Sequence, residues 1–433
     1  MDQVIHTRLD NGLTVVVQEM HHAPVAAAWV FYRVGSRNEV PGITGISHWT
    51  EHMMFKGTPT FPNEIMNRAI SRVGGQWNAY TFFDFTAYNE TVPADEIDLC
   101  LNLEADRMVN SLFDVDEVLA ERTVIISERQ GSENHPPFLI AEEVRAAAFR
   151  VHPYHHMVIG DMADLENMSQ DDLLAHYQCF YHPGNAIVVV TGDVDGNAIV
   201  ERVRKQFESI PERPLPPAVV RQEPPQRGER RVQVHGEGET DYLYASYRAP
   251  NAVHADFFAL AVLMSSMLGS GAMGLLQGTS SNKSSRLYKA LVEKELAAGV
   301  GGGLIPMVDP TLFTIAAPAR SGVPLEKLER ALDDTIAKLR NDSPVTQAEL
   351  DSAKKRARAS FAFSSESVTD RGFWLGFSEL VAGSYQWFFR YLEELERVTL
   401  DDIARVSETY LDPSQRTIGW YVANSQSALE VEA

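Results

Sequence analysis

Cysteine is nearly absent, with only Cys100 and Cys179 in 433 residues. Two cysteines cannot build a disulfide framework, and neither stands in a paired metal-ligand spacing, so both read as small buried hydrophobes. Long apolar runs are missing too: none approaches the ~20 residues of a membrane helix, and no membrane span is expected. Basic residues are outnumbered, 38 Lys and Arg against 59 Asp and Glu, for a net charge of −21. That charge would repel a phosphate backbone and argues against a nucleic-acid partner. It is compatible with basic peptides as substrates, and equally with a plain demand for solubility. The opening Met1-Asp2-Gln3-Val4-Ile5-His6 carries neither the basic nor the apolar region of a secretory signal, so a cytoplasmic location is expected, or a periplasmic one if a signal was removed.

What is present is globular: 44% hydrophobic and 22% charged residues, in a chain long enough for two or more domains. Strand-like runs at Leu13–Gln18 and Ala26–Tyr32 precede helical patterns over residues 46–57 and 64–73. Gln76–Tyr88 reads as one aromatic, β-branched strand. Helices are expected around residues 94–110, 114–130 and 171–181, and Ala186–Asp193 reads as a buried strand. Prolines at 211, 214, 216, 217, 224 and 225 rule out a helix or central strand over 211–230 and mark a linker. The expected division is therefore 1–210, a linker at 211–230, and 231–433. The two sides repeat: Tyr181-His182-Pro183 followed by Ile187-Val188-Val189 matches Leu411-Asp412-Pro413 followed by Thr417-Ile418-Gly419 at a constant offset of 230. Two homologous α/β halves follow.

Chemistry is concentrated in His48-Trp49-Thr50-Glu51-His52. On a helix His48 and His52 are four apart and share a face, so two imidazoles can hold one zinc. Glu51 then projects beside the metal, where a carboxylate can take a proton from water; this is the inverted H-x-x-E-H order. Two surface histidines on an ordinary helix would give the same five letters. A third ligand is needed, and Glu121 and Glu128, two turns apart on one helix, offer it: Glu128 as ligand, with Glu121 supporting the site from behind by orienting Glu128 or its neighbours. A solvated acidic face is the plainer reading of that pair. His152-Pro153-Tyr154-His155-His156 lacks helical spacing and contains proline, so no ligand set is expected there. The aligned second-half helix, Ala255–Met267, holds no ligands, so only the first half is expected to be catalytic. The Gly- and Ser-rich stretch 268–283 does not form a phosphate-binding loop and is expected to be a surface loop or a mobile lid.

His48-x-x-Glu51-His52 with Glu121–Glu128 downstream resembles the pitrilysin/insulinase family of zinc peptidases, which includes the mitochondrial processing peptidase. The resemblance extends to Leu9-Asp10-Asn11-Gly12-Leu13, Gly74-Gly75-Gln76-Trp77-Asn78-Ala79 and Tyr181-His182-Pro183-Gly184-Asn185, and so covers nearly the whole chain. It implies an α+β fold in which each half is a mostly antiparallel sheet covered by helices. It also implies Zn2+ held by His48, His52 and Glu128, with Glu51 and Glu121 as the catalytic carboxylates. Asn78, Ala79 and Tyr80 would border an extended peptide substrate, read as an added strand. In that family the halves enclose a chamber that admits unfolded peptides, and the second half usually supplies an arginine and a tyrosine that clamp the substrate. Here Val292 and Ala298 stand at those positions, and the nearby Arg286 and Tyr288 match a structural segment instead. The resemblance thus implies an endopeptidase subunit of a heterodimer whose partner supplies the Arg/Tyr pair. A non-catalytic scaffold subunit and a peptidase maturing one peptide-derived cofactor are the alternatives.

Overall fold

The computed structural model describes residues 4–269 and 283–424. Residues 270–282, within the loop expected at 268–283, lie outside the described residues. The strands are β1 (Val4–Arg8), β2 (Thr14–Glu19), β3 (Val25–Tyr32), β4 (Gln76–Thr81), β5 (Thr86–Pro93), β6 (Ala186–Gly192), β7 (Arg230–Glu237), β8 (Tyr242–Ala249), β9 (Gly301–Leu304), β10 (Thr311–Pro318) and β11 (Arg416–Asn424). The helices are α1 (Ile46–Met53), α2 (Asn63–Arg72), α3 (Ile97–Asn110), α4 (Val115–Glu133), α5 (Pro136–Ala148), α6 (Met162–Asn167), α7 (Gln170–Phe180), α8 (Gly196–Phe207), α9 (Phe257–Leu268), α10 (Leu325–Asn341), α11 (Gln347–Phe363), α12 (Val368–Ala382), α13 (Gln386–Arg397) and α14 (Leu400–Tyr410).

The class is α+β, with two similar halves. One sheet runs β1-β2-β6-β3-β5-β4 and the other β7-β11-β8-β10-β9. Each is antiparallel except for one pair, β2 with β6 in the first and β7 with β11 in the second. The centre of the first sheet is set by composition. All seven residues of β6, Ala-Ile-Val-Val-Val-Thr-Gly, are buried between β2 and β3, as an uninterrupted apolar run demands. The terminal strand β4 alternates exposed and half-buried instead, as a strand at a sheet edge should.

The compact units are not continuous in sequence. Unit 1 comprises the chain up to Arg129, His156–Arg221 and Ser365–Phe388; unit 2 comprises Gln130–His155, Gln222–Ser364 and the chain from Phe389. The passage at Arg221 to Gln222 falls inside the stretch expected as a linker, where no helix or strand forms between Pro211 and Glu229. The remaining crossings exchange two helices: α12 packs on β3 and β6 in unit 1, and α5 on β7, β11 and β8 in unit 2. Pro136–Ala148 shifted by the 230-residue offset is 366–378, which overlaps α12, so the exchanged helices are equivalent elements of the repeat. The linear division at 211–230 carries no sign of this. Gly372 and Gly376 let α12 lie close on β3, because a Cβ there would stand 2.6 Å from Trp29 Cδ1 and 2.2 Å from Phe31 Cε2.

Two local expectations change. Gln76–Tyr88 is the start of a hairpin and not one strand: the chain reverses at Phe82–Phe85, with Phe82 N donating to Phe85 O at 2.8 Å. That turn contains neither glycine nor proline, and Asp84 among three phenylalanines is its one weak turn signal. Helix α1 closes at Met53 and not at Gly57, whose φ of 100° belongs to the following loop, where it bridges Pro62.

Candidate active site

Helix α1 begins at Gly45, which adopts φ 88° and has no side chain to cap the helix. The cap comes from outside: the buried Glu39 accepts hydrogen bonds from Gly45 N at 2.8 Å and Ser47 N at 2.9 Å. A carboxylate at a helix N-terminus satisfies free N–H groups and complements the helix dipole. His156 Nε2 lies 2.9 Å from the same carboxylate. Burial alone would raise the Glu39 carboxyl, but the bonds from His156, Ser47 and Gly45 outweigh it and hold the pKa below its ordinary value. Ile46, Trp49, Thr50 and Met53 are buried in the core, which fixes the rotation of the helix and leaves His48 and His52 on its open side.

The open side faces α4. His48 Nε2 is 4.0 Å and His52 Nε2 is 3.8 Å from Glu128 Oε2. One ligand atom from each of the three residues lies within 4.8 Å of the other two, the only such group of metal-binding type among the described residues. Those separations suit three donors around a single ion about 2 Å from each. His52 Nδ1 lies 2.7 Å from Glu121 Oε1; donating there fixes the imidazole proton on Nδ1 and turns the Nε2 lone pair toward Glu128. Lys56 pairs with the other oxygen of Glu121. Burial raises the Glu121 carboxyl, yet His52 and Lys56 outweigh it and keep it ionised. His48 is pushed down to about 4, first by burial and then by His52, so its ring is neutral as a ligand must be. For His52 the lowering by burial is outweighed by Glu121 and the neighbouring acids, and its pKa is raised.

Glu51 is buried beside the same face. Thr81 Oγ1 donates to Glu51 Oε2 at 2.6 Å, leaving Oε1 without that bond. Burial pushes the Glu51 carboxyl up, restrained by Thr81 and His52, and a carboxylate of raised pKa is the stronger proton acceptor. Thr81 ends β4 and escaped notice in the sequence. The period-2 rule would have found it, since it shares a strand face with Ala79.

On β4, Ala79 faces the core cluster, while Asn78 and Tyr80 point to the other face, joined by a bond from Asn78 Nδ2 to Tyr80 Oη at 2.9 Å. The Tyr80 ring stacks on Trp29 with centroids 6.2 Å apart. Of the three residues expected at the substrate, only Ala79 is on the face that carries Thr81. Of the residues Glu121 was expected to support, it is His52 that it reaches. In the histidine-rich stretch, His156 serves the cap of α1, whereas His152 Nε2 pairs with Asp309 in unit 2 at 3.0 Å. Arg286 is committed to Glu349, at 2.7 and 2.6 Å.

A helix that offers two histidines and a glutamate beside a glutamate of a second helix, on an α+β fold of two similar halves, is the arrangement of a zinc metallopeptidase, and the chain's relatives agree. The profile described as "Insulinase (Peptidase family M16)" matches residues 14–162, and that described as "Peptidase M16 inactive domain" matches residues 167–357. The chain is 33% identical to "Zinc protease PqqE" of Helicobacter pylori over 417 residues, 94% of this chain and 90% of that protein. It is 26% identical to the mitochondrial-processing peptidase subunit beta of Lentinula edodes, over 93% of this chain and 86% of that one. The crystal structure of a protease from Helicobacter pylori superposes with a TM-score of 0.91 at 30% identity, covering 97% of this chain and 99% of the other. The chain belongs to the insulinase (M16) family of zinc peptidases. No helix among the described residues is long and apolar enough to cross a membrane.

Proposed function

We propose that this chain is a catalytic endopeptidase subunit in which His48, His52 and Glu128 hold the zinc and Glu51 moves the proton. The observation that carries the reading is the convergence of those three ligand atoms within 4.8 Å of one another, next to a buried carboxylate. When bound, zinc supplies Lewis acidity toward a carbonyl oxygen and a water. Glu51 accepts the proton of the attacking water at Oε1 and returns it to the leaving amine as the C–N bond breaks. Thr81 fixes the rotamer of Glu51, and Glu121 that of His52.

The substrate is an extended, unfolded peptide added along the free edge of β4, with Asn78, Ala79 and Tyr80 contributing backbone more than side chain. Support comes from β4 being the last strand of its sheet, paired on one side by β5. Val292 and Ala298 lack the groups to clamp a substrate, so a homologous partner subunit supplies the Arg/Tyr pair. A scaffold subunit without activity would also lack the clamp, but it has no use for the set His48, Glu51, His52 and Glu128. Glu51→Gln tests the reading: zinc stays bound at one per chain while hydrolysis of a quenched fluorescent peptide falls by about 10²–10⁴-fold. Undiminished activity in that variant overturns the proposal.

A further inference from the structure

Unit 1 holds a cavity of about 510 Å³ that shares no residue with the metal-binding group. It lies where β3 ends and β2 and β6 begin, and the proline-rich segment Leu215–Val219 forms one wall. Arg8, Arg33 and Arg37 all line it, in a chain of net charge −21. Arg37 is 3.8 Å from Asp84, and Arg8 Nε donates to Gly12 O at 3.2 Å. The half-buried Arg33 guanidinium makes no hydrogen bond or ion pair with any described residue. The acid in the cavity, Glu379, has both oxygens engaged: Oε1 with His6 Nε2 at 3.2 Å and Oε2 with Tyr385 N at 2.8 Å.

A half-buried guanidinium with no direct hydrogen bond or ion pair keeps its donors available, and it engages a planar or tetrahedral oxyanion best, through two parallel N–H groups. Burial lowers the Arg33 pKa, with Glu379 opposing and Arg8 adding to the decrease, as two like charges before one space require. We propose that this cavity binds a small oxyanion, a carboxylate or phosphate group, with Arg33 as the bidentate anchor and Arg8 as the second cation. The site is separate from peptide hydrolysis and stands whether or not the catalytic reading does.

Thermal unfolding and titration calorimetry of the full zinc-loaded chain at pH 7 test it, with inorganic phosphate, succinate and chloride at matched ionic strength. Saturable binding of phosphate or succinate is expected, with chloride inert; whichever anion binds identifies the head group. In Arg33→Met the affinity falls at least about tenfold, in Arg8→Met by less, while circular dichroism, zinc content and peptide hydrolysis hold. No saturable binding of either anion overturns the proposal. So does equal binding to wild type and Arg33→Met, which would put the anion elsewhere.

Discussion

Helices α1 and α9 are counterparts in the two halves, and they differ in what their open side carries. α9 runs Phe-Phe-Ala-Leu-Ala-Val-Leu-Met-Ser-Ser-Met-Leu, and all but one of its residues are buried. Among the residues of α1, Ile46, Trp49 and Met53 are buried in the same manner, but the remaining face presents His48 and His52 to α4, with Glu51 beside them bonded to Thr81. The lesson is that one scaffold tolerates both solutions. The apolar stripe makes the helix, and polar residues on one face of α1 give it a group able to bind a metal together with Glu128. The edge strands differ in parallel: β4 packs Trp77 and Ala79 on the core and brings Thr81 to Glu51, whereas β9 is Gly-Gly-Gly-Leu.

That contrast can be broken by turning the first half into a likeness of the second. His48→Ala with His52→Ala should abolish zinc binding and activity altogether, while far-UV circular dichroism is unchanged, because both rings sit outside the apolar stripe. Retained stoichiometric zinc would refute the ligand assignment.

The reverse experiment loads the second half. Leu263 in α9 is fully buried, so Leu263→Ala should cost about 2–5 kcal/mol in denaturant unfolding yet leave zinc affinity unaltered. A loss of zinc affinity on refolding would mean that the halves are less independent than their chemistry suggests.

A smaller effect is expected at the support of the site. Glu121→Gln weakens the hold on His52 Nδ1 and should reduce zinc affinity by about 10–100-fold, measured by competition with a chelator. Smallest is the cap of α1. Because the Glu39 carboxyl is held below its ordinary value of 4.5, its stabilisation is complete above about pH 4.5 and is lost as pH falls through the lower folded value. Glu39→Gln should remove about 1–3 kcal/mol at pH 7 and flatten the acid limb of the stability profile below pH 4.5. α9 has no buried external carboxylate at its start to lose in this way, since Asp256 there pairs with Arg405 and Tyr410.

Much of this architecture was legible in the letters because it rests on short-range periodicity. The spacing of His48 and His52 puts two rings on one helix face whatever surrounds it. The apolar run of β6 demands a central position, and the offset of 230 announces two halves. The same logic found Glu121 and Glu128 two turns apart on α4. Long-range partners were beyond it. Nothing local to Glu39 or His156 says that they meet above the first turn of α1, and nothing in Thr81 alone says that it reaches Glu51.

The sequence by itself determined the pairing of His48 with His52 on one helix face and of Glu121 with Glu128 on another, because each pair lies within two turns, and the repeat of order at an offset of 230 announced two halves. Only the tertiary structure decided which acid steadies His52, where the strand from Gln76 turns back, that α5 and α12 are exchanged between the units, and that Arg33 faces a cavity with no direct hydrogen-bond or ion-pair partner among the described residues. Those features arise from residues tens to hundreds of positions apart, and chain connectivity places no limit on which of them will touch until the sheets have formed.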